Sequence, residues 1–278
     1  MSKLIQARVG NPQYNQAGVA RATPFDVAWR PSSYLVDVAR GLTNDGARLV
    51  HKFGSNSDVD TATDPEDVWQ AGGLMTWPVA AEVLNVVSSS TDDVYSTGVG
   101  AHVVVIEGLD GNFDEIVKEV QLNGTTPVST EVQFIRVNRA YVTQVGKYHG
   151  SNVGLITIEL EGATMATILP GCGQTQIARY TVPANHTAYF LSGTCNVSVT
   201  KTAEVRFLIY PNADAVSSPF ISAERVIIDQ RSSSGTTYRA DQAVLIPEKT
   251  DIWARVEQVG ANDTSVDVEF QLLLVPGG

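Results

Sequence analysis

The stretch VVVIEGLDGNFDEIVKEVQL, residues 103–122, decides the fold class. It opens with an apolar run, 103–109, that has the length and composition of a buried strand. Asp110-Gly111 follows, a pair typical of tight hairpin turns because glycine adopts positive φ without strain. Residues 116–122 then alternate between apolar and polar side chains, as a half-buried strand does. The sequence therefore predicts an antiparallel hairpin.

Similar strand patterns continue along the chain. Asn123-Gly124 marks a second turn, and a third strand predicted from Val132 to Val142 would complete an antiparallel meander. The clearest alternation is Ser265–Val275, where five apolar side chains interleave with polar ones. Turn signals recur about every 8 to 12 residues, the spacing of a β-sandwich or jelly roll. We predict an all-β protein with two antiparallel β-sandwich or jelly-roll-like domains preceded by an extended N-terminal arm.

Glycine and proline residues between strand patterns indicate the domain limits. Pro170-Gly171-Cys172-Gly173 lies between two strand patterns, which makes it the best boundary in the chain. We predict an arm over 1–41, a first β domain over 42–170 and a second β-sandwich over 171–278.

The arm differs from the body in charge and in pattern. It has no sustained period of 2 or 3.6, and it contains five basic residues against two acidic ones. One interpretation is a flexible terminus. The other is an arm that docks on a neighbouring protein, because it carries aromatic anchors that disordered tails rarely have. Those anchors are Tyr14, Phe25, Trp29 and Tyr34.

Composition excludes several classes of partner. The chain has 278 residues, is 43% hydrophobic and carries a net charge of -11, so it can form a core but repels phosphate backbones. We therefore expect no nucleic-acid partner. No apolar run approaches the roughly 18 to 20 residues of a membrane span, and the first residues lack the apolar segment of a signal peptide. We therefore expect no association with a membrane, and we expect the protein to be made in a cytoplasm.

The sequence offers little for catalysis. Its four histidines are scattered, and the spacings of zinc proteases, metal-binding cupins, nucleophile elbows and phosphate loops are missing. Cys172 and Cys195 lack a C-x-x-C pattern, and small buried hydrophobes are favoured over a disulfide because no oxidising compartment is indicated. We expect no enzyme, no cofactor and no resident metal. Paired carboxylates for glycoside cleavage remain open.

An acidic loop, 56–69, allows two interpretations. Asp58, Asp60, Asp64 and Asp67 offer the oxygen ligands that calcium prefers, but the glycine and glutamate of a helical calcium loop are missing. The favoured interpretation is a solvated loop in which Asp64 caps a short helix beginning at Pro65.

Two sets of motifs resemble a known family. The first comprises LVHKFGSNSDVD (49–60), PEDVW (65–69), VSSSTDD (87–93) and IEGLD (106–110). The second comprises RYTVPA (179–184) and IPEKTDI (246–252). Together they resemble structural proteins of tailed bacteriophages, especially phages of aquatic bacteria, over roughly residues 38–275. The resemblance implies a virion component without enzymatic activity.

The position on the virion is a hypothesis from physical arguments. An acidic β body with a basic, aromatic arm suits a homotrimeric capsid decoration (cement) protein that binds the outside of the major capsid protein shell. The alternative is a tail, head-fibre or receptor-binding protein that recognises host glycans through residues 171–278. A jelly-roll hydrolase or lyase is a third class, which the missing histidine cluster disfavours. The candidate capsid contacts are Arg8, Tyr14, Arg21, Phe25, Trp29, Arg30, Tyr34, Asp58, Asp60 and Trp69.

Overall fold

The computed structural model describes residues 33–43, 45–63, 65–233 and 235–277. The chain divides into two compact units, Met1–Leu49 and Val50–Gly278. The first contains the short helix α1 (Ser33–Ala39). The strands of the described residues are β1 (Arg48–Val59), β2 (Glu66–Asp67), β3 (Glu82–Ser88), β4 (Ala101–Leu109), β5 (Glu115–Gln121), β6 (Val128–Phe134), β7 (Arg136–Val145), β8 (Ile156–Leu160), β9 (Ala163–Ile168), β10 (Arg179–Thr181), β11 (His186–Val197), β12 (Ala203–Tyr210), β13 (Arg225–Ser232), β14 (Gly235–Ile246), β15 (Asp251–Val259) and β16 (Thr264–Pro276).

Two antiparallel sheets form sandwich 1. One has the strand order β1-β16-β11-β14, and the other has the order β10-β15-β12-β13 with β2 added beside β15. Their inner faces share one apolar core, centred on Phe190, Phe207 and Phe270, whose ring centroids lie 5.7 to 6.1 Å apart. Facing sheets bury alternate side chains in this way, which explains why β16 alternates so regularly.

Sandwich 2 is built from the sheets β6-β3-β8-β9 and β5-β4-β7. Its core includes Leu84, Ile106, Phe134, Ile156 and Ile158, all fully buried. The apolar run 103–109 belongs to β4, which lies between β5 and β7 and is buried along most of its length. A strand that is flanked by neighbours on both sides and packed on a core has a continuous apolar sequence rather than an alternating one.

Sandwich 2 is inserted in sandwich 1. Strands β3 to β9 follow β2 in the chain and precede β10, whereas β1 and β2 pair with β16 and β15. Whether 42–170 and 171–278 fold as independent domains stays a prediction. The pairing of strands, however, does not follow these limits. Sandwich 1 takes strands from both sides of residue 170.

The all-β fold class is confirmed, and so is the opening hairpin. β4 and β5 pair antiparallel from Val103 with Gln121 to Leu109 with Glu115. The turn differs in detail, because Phe113 rather than Gly111 has the positive φ, at 67°. Asp110 shapes this turn, since its Oδ1 accepts bonds from the backbone N–H groups of residues 112 and 114 at 2.8 and 3.0 Å.

The predicted third strand of the meander is wrong in its pairing. Residues 128–134 form β6, which pairs with β3 in the opposite sheet, and the chain then returns as β7 to pair with β4. The crossing lies at Ile135, whose N–H donates to Leu109 O at 2.8 Å. Residues 134–138 are all buried, because the chain there passes between two sheets. Because these residues are all buried, the alternation of polar and apolar side chains does not show where β6 ends and β7 begins.

The predicted helix at Pro65 is also wrong. Glu66 and Asp67 form β2 and pair with Val256 and Arg255 of β15. Both carboxylates are buried and bonded: Glu66 Oε2 accepts from Gly73 N at 2.7 Å, and Asp67 Oδ2 accepts from Met75 N at 2.7 Å. These tertiary bonds outweigh local helix capping. Asp64, the proposed cap, lies outside the described residues.

The two cysteines are unpaired, as expected, but only Cys195 is buried while Cys172 is exposed. Burial raises the pKa of the Cys195 thiol to about 12, so this side chain acts as a small hydrophobe. Among the described residues, no helix has the length and apolar character needed to cross a membrane.

Candidate binding site at the seam of the sandwiches

A buried ion pair joins the two sandwiches. Arg136 is the first residue of β7 in sandwich 2, and Asp251 is the first residue of β15 in sandwich 1. The guanidinium binds the carboxylate through two bonds, Nε to Oδ1 at 2.8 Å and Nη2 to Oδ2 at 2.9 Å. Arg136 Nη1 donates to Pro78 O, and Thr181 Oγ1 donates to Asp251 Oδ1. The bidentate geometry and the added bonds fix both side chains in place.

A second arginine crosses the same boundary without a carboxylate in contact. Arg179 on β10 is fully buried and donates from Nη2 to Val137 O at 3.0 Å and Met165 O at 2.8 Å. Burial and the neighbouring charge of Arg136 lower the pKa of Arg179 to about 10, so it remains a cation at neutral pH. The Trp77 ring lies 5.3 Å from both guanidinium carbons, which stabilises two like charges near each other.

The seam opens into a groove of about 260 Å³, named here the seam groove. Trp77 and Trp253 lie in its wall with ring centroids 5.2 Å apart. Tyr210 and Phe220 add two further aromatic rings, and Glu224 contributes a carboxylate. Aromatic residues from four separate parts of the sequence therefore meet at one concave surface.

The rim of the seam groove exposes large apolar side chains. Val79, which precedes β3, is 67% exposed, and Phe220, in the loop between β12 and β13, is 57% exposed. Ile221, next in the chain, is 77% exposed, and Val216 on the same loop is also exposed. Exposed apolar side chains gathered at a groove mark a site of interaction.

Ion pairs of Arg255 hold the side chains at the base of the groove in place. Arg255 Nε donates to Asp67 Oδ1 at 2.9 Å, and Arg255 Nη1 donates to Glu224 Oε2 at 3.3 Å. The same guanidinium lies 5.5 Å from the Trp253 ring. Burial raises the pKa of Asp67 despite the opposing effects of Met75 N–H and Arg255. Because the charged groups bind one another, the groove suits recognition through apolar contact better than proton transfer.

Several residues of the motifs RYTVPA (179–184) and IPEKTDI (246–252) lie at this seam. The motif 179–184 supplies Arg179 and Thr181, and the motif 246–252 supplies Asp251. No pattern in the sequence predicts the groove itself, because its aromatic residues are separated by long stretches of chain. The one local signal is 219–221, where proline precedes two large apolar residues in the loop between β12 and β13.

The predicted capsid contacts are scattered in the described structure. Tyr34 on α1 is exposed, and its OH donates to Asp45 Oδ2 at 2.8 Å. Asp58 is exposed, Asp60 is half-buried, and Trp69 is buried with its Nε1 donating to Gly73 O. The other six lie outside the described residues, namely Arg8, Tyr14, Arg21, Phe25, Trp29 and Arg30. Capsid contact through these residues stays a prediction.

The acidic loop brings two of its four predicted ligands together. The carboxylate oxygens of Asp58, Asp60 and Asp263 lie within 4.8 Å of one another, and Asp263 comes from the loop between β15 and β16. These oxygens are of the type that calcium binds. However, Asp60 Oδ1 already accepts from Asp263 N at 2.8 Å, which is the ordinary closure of two adjoining turns. Asp67 lies elsewhere and pairs with Arg255.

The histidines lie in separate environments. His51 Nε2 lies 3.3 Å from Glu269 Oε2, His102 Nε2 lies 2.8 Å from Gly98 O, and His186 Nδ1 lies 2.9 Å from Ala184 O. Within the described parts of the chain, the only cluster of possible metal-binding side chains is the aspartate group.

Comparison with known proteins does not identify a family for this chain. No family model and no curated protein matches the chain. A solved structure of infectious bursal disease virus, Gx strain, aligns at 10% identity over 84% of this chain and 71% of that one, with a TM-score of 0.21. The VP2 subviral particle of the same virus aligns at 11% identity over 83% and 72%, with a TM-score of 0.20. Scores this low do not establish a common fold, and no functional conclusion rests on them.

Proposed function

We propose that this chain is a structural protein of a bacteriophage virion, and more specifically a capsid decoration (cement) protein. In this role it binds the outside of the major capsid protein shell, acts as a homotrimer and has no catalytic activity. The resemblance of its motifs to phage structural proteins supports the virion part. The observation that carries the docking part is the exposed apolar rim of the seam groove on a strongly acidic protein.

The rim residues are the source of binding energy in this proposal. Burying one large apolar side chain against a partner contributes about 1.5 to 3 kcal/mol. Phe220 lines the groove together with Val79, and Ile221 follows Phe220 in the chain. Both Phe220 and Ile221 expose most of their side chains. A shell repeats the same surface many times, so a closed oligomer that engages several copies gains affinity without further contacts.

The base of the groove is suited to support such contacts. The Arg136–Asp251 ion pair joins the sandwiches at the groove, and Arg255 fixes Trp253 and Glu224 beside it. A surface already ordered before docking loses less conformational entropy on binding than a mobile one. The basic arm, 1–41, is proposed to extend the contact over neighbouring capsid subunits, with the loop at Asp58 and Asp60 as a second contact region.

Binding of the purified chain to undecorated capsids tests this function by co-sedimentation. The double variant Phe220→Asp/Ile221→Asp should weaken binding by at least about 100-fold, because two apolar side chains are lost and charge is added. A single Val79→Asp change should weaken it about 10-fold. Val199→Asp is the matched control, since Val199 is 85% exposed in the loop between β11 and β12.

The expected pattern is loss for the groove variants and wild-type binding for the control. Equal binding by all four proteins would overturn the groove as the docking surface. Removing residues 1–33 tests the arm separately, and unchanged binding of that shortened chain would contradict its proposed role. Absence of any capsid binding by the wild-type chain would remove the decoration role itself.

A second candidate is supported by the aromatic lining. Sugar rings bind on aromatic faces flanked by polar groups, and the groove offers Trp77, Tyr210 and Phe220 beside Glu224 and Arg255. In this alternative the chain is a tail, head-fibre or receptor-binding protein that recognises host glycans. The full chain is the right material for a glycan-binding assay, because β1 and β2 complete sandwich 1. Glycan binding that Trp77→Ala abolishes, without capsid binding, would favour it.

A further inference from the structure

A second cavity, of about 300 Å³, lies away from the residues of the seam groove. It is lined by His51, Lys52 and Phe53 of β1, Arg139 of β7, and Thr175. Lys52 is only 6% exposed, although its strand neighbours on either side are more open. A lysine is rarely buried to this extent unless its charge is balanced.

Lys52 has a backbone partner but no acidic one. Its Nζ donates to Asn138 O, and no carboxylate of the described residues lies within ion-pair distance of it. Burial lowers the pKa of Lys52 to about 7, and the charges of Arg179 and Arg139 act in the same direction, whereas Glu107 opposes them. An ammonium group has three donors, so this side chain retains capacity for a ligand.

The other groups around the cavity offset its positive charge only in part. Glu107 lies opposite Arg139 in the pairing of β4 with β7 and acts to raise the pKa of Lys52, but among the described residues it forms no ion pair with either side chain. Arg139 Nη2 donates to the neutral Gln174 Oε1 at 3.0 Å, and its guanidinium carbon lies 4.4 Å from the Tyr141 ring. The nearby carboxylates are engaged elsewhere: Glu107 accepts from Tyr141 OH at 3.0 Å, and Glu269 lies against His51 at 3.3 Å. A cationic cavity is unexpected in a chain of net charge -11.

Thr175 supplies a further polar group. Its Oγ1 accepts from Ala140 N at 3.1 Å, which leaves the hydroxyl hydrogen available as a donor. The cavity therefore combines an ammonium, a guanidinium and a hydroxyl, all of which donate. Such a set matches an acceptor with several oxygens and a negative charge.

We propose that this cavity binds a small oxyanion, such as inorganic phosphate or a carboxylate, between Lys52 Nζ and the Arg139 guanidinium. The bound anion supplies the counter-charge that Lys52 lacks, so the lysine binds it as an ammonium ion. Guanidinium groups suit the two-oxygen geometry of phosphate and carboxylate. The inference is independent of the capsid role, because it concerns other residues.

Calorimetric titration of the full chain tests the site, in a dilute buffer whose only other anion is chloride, at about pH 7. One arm uses inorganic phosphate, and the other uses acetate as the carboxylate probe. We expect saturable binding of at least one probe, weakened at least tenfold by Lys52→Met and by Arg139→Gln. Lys118→Met is the control, since Lys118 pairs with Glu131 on β5 and β6.

A second measurement follows the titration of Lys52 itself by NMR of its side-chain nitrogen. The bound anion should raise the apparent pKa of Lys52, because it favours the charged form. Binding of neither probe, or binding that both variants leave unchanged, would overturn the proposal. Phosphate binding without acetate binding would identify the ligand as a phosphate-type oxyanion, and the reverse would identify a carboxylate.

Discussion

Removing Arg136 is the most informative perturbation of this fold. The Arg136→Met substitution keeps the aliphatic stem but leaves Asp251, which is 3% exposed, as a buried carboxylate with only the Thr181 hydroxyl bonded to it. Pro78 O and Ile135 O lose their donor as well. Breaking one partner of a buried ion pair costs about 3 to 5 kcal/mol. That is a large part of the roughly 5 to 15 kcal/mol by which a domain is stable.

The assay is urea unfolding, followed by circular dichroism and by tryptophan fluorescence. Trp77 and Trp253 lie at the seam, and Trp69 packs in the same apolar cluster. Three of the four tryptophans therefore report on this region by fluorescence, while circular dichroism reports on the strands. The variant should lose about 4 kcal/mol, and its fluorescence transition should precede the loss of strand signal. The wild-type protein should show coincident transitions.

Two controls separate the ion pair from general damage. The double variant Arg136→Met/Asp251→Leu should recover at least half of the loss, because it leaves no unpaired buried charge. Lys118→Met, which removes an exposed ion pair, should cost less than about 1 kcal/mol. A loss below about 1 kcal/mol for Arg136→Met, or a double variant no more stable than the single one, would refute the reasoning.

Two further predictions concern other buried charges. The pKa of Lys52 is about 7 in the folded protein against 10.5 for the free side chain, so between these values the unfolded chain binds more protons and stability rises with pH. Lys52→Met should therefore stabilise the protein by up to about 5 kcal/mol below pH 7, with a gain that shrinks towards about pH 10, as urea unfolding at several pH values would show. Asp93 is fully buried and accepts from the N–H groups of Ala101, Val153 and Gly154 and from Ser88 Oγ. Asp93→Ala should cost about 3 kcal/mol or more and speed amide exchange at residues 153 and 154, and unaltered exchange there would contradict this account.

The alternation of apolar and polar residues predicted strands correctly where one face of the strand packs on a single core. The prediction for Ser265–Val275 is confirmed by β16, in which Val266, Val268, Phe270, Leu272 and Leu274 are buried. The alternation pattern did not predict strand pairing correctly where a segment is buried on all sides. Residues 134–138 cross between sheets, and the resulting switch of partner leaves no periodic trace.

Local rules also failed where distant residues supply the decisive bonds. Asp67 lies in a segment with the features of a helix start, yet Arg255 and Met75 N–H hold it in a short strand. The seam groove could not be predicted for the same reason, because Trp77, Phe220 and Trp253 come from distant parts of the sequence and meet only in the folded protein. The acidic cluster was predicted in part, since Asp263 joins Asp58 and Asp60 from the far end of the chain.

The insertion also bears on how the protein is made. His51 on β1 and Glu269 on β16 are in contact although 218 positions separate them, so β1 can find its neighbour only after almost the whole chain has left the ribosome. Sandwich 2 contains nearer pairings, such as β4 with β5, and can assemble during synthesis. Until then β1 presents unpaired backbone groups to other nascent chains. Rapid synthesis of many copies in one cell should therefore favour misassembly through β1. Pairing with β16 then covers one edge of β1, and the other edge stays open because β1 is the outermost strand of its sheet.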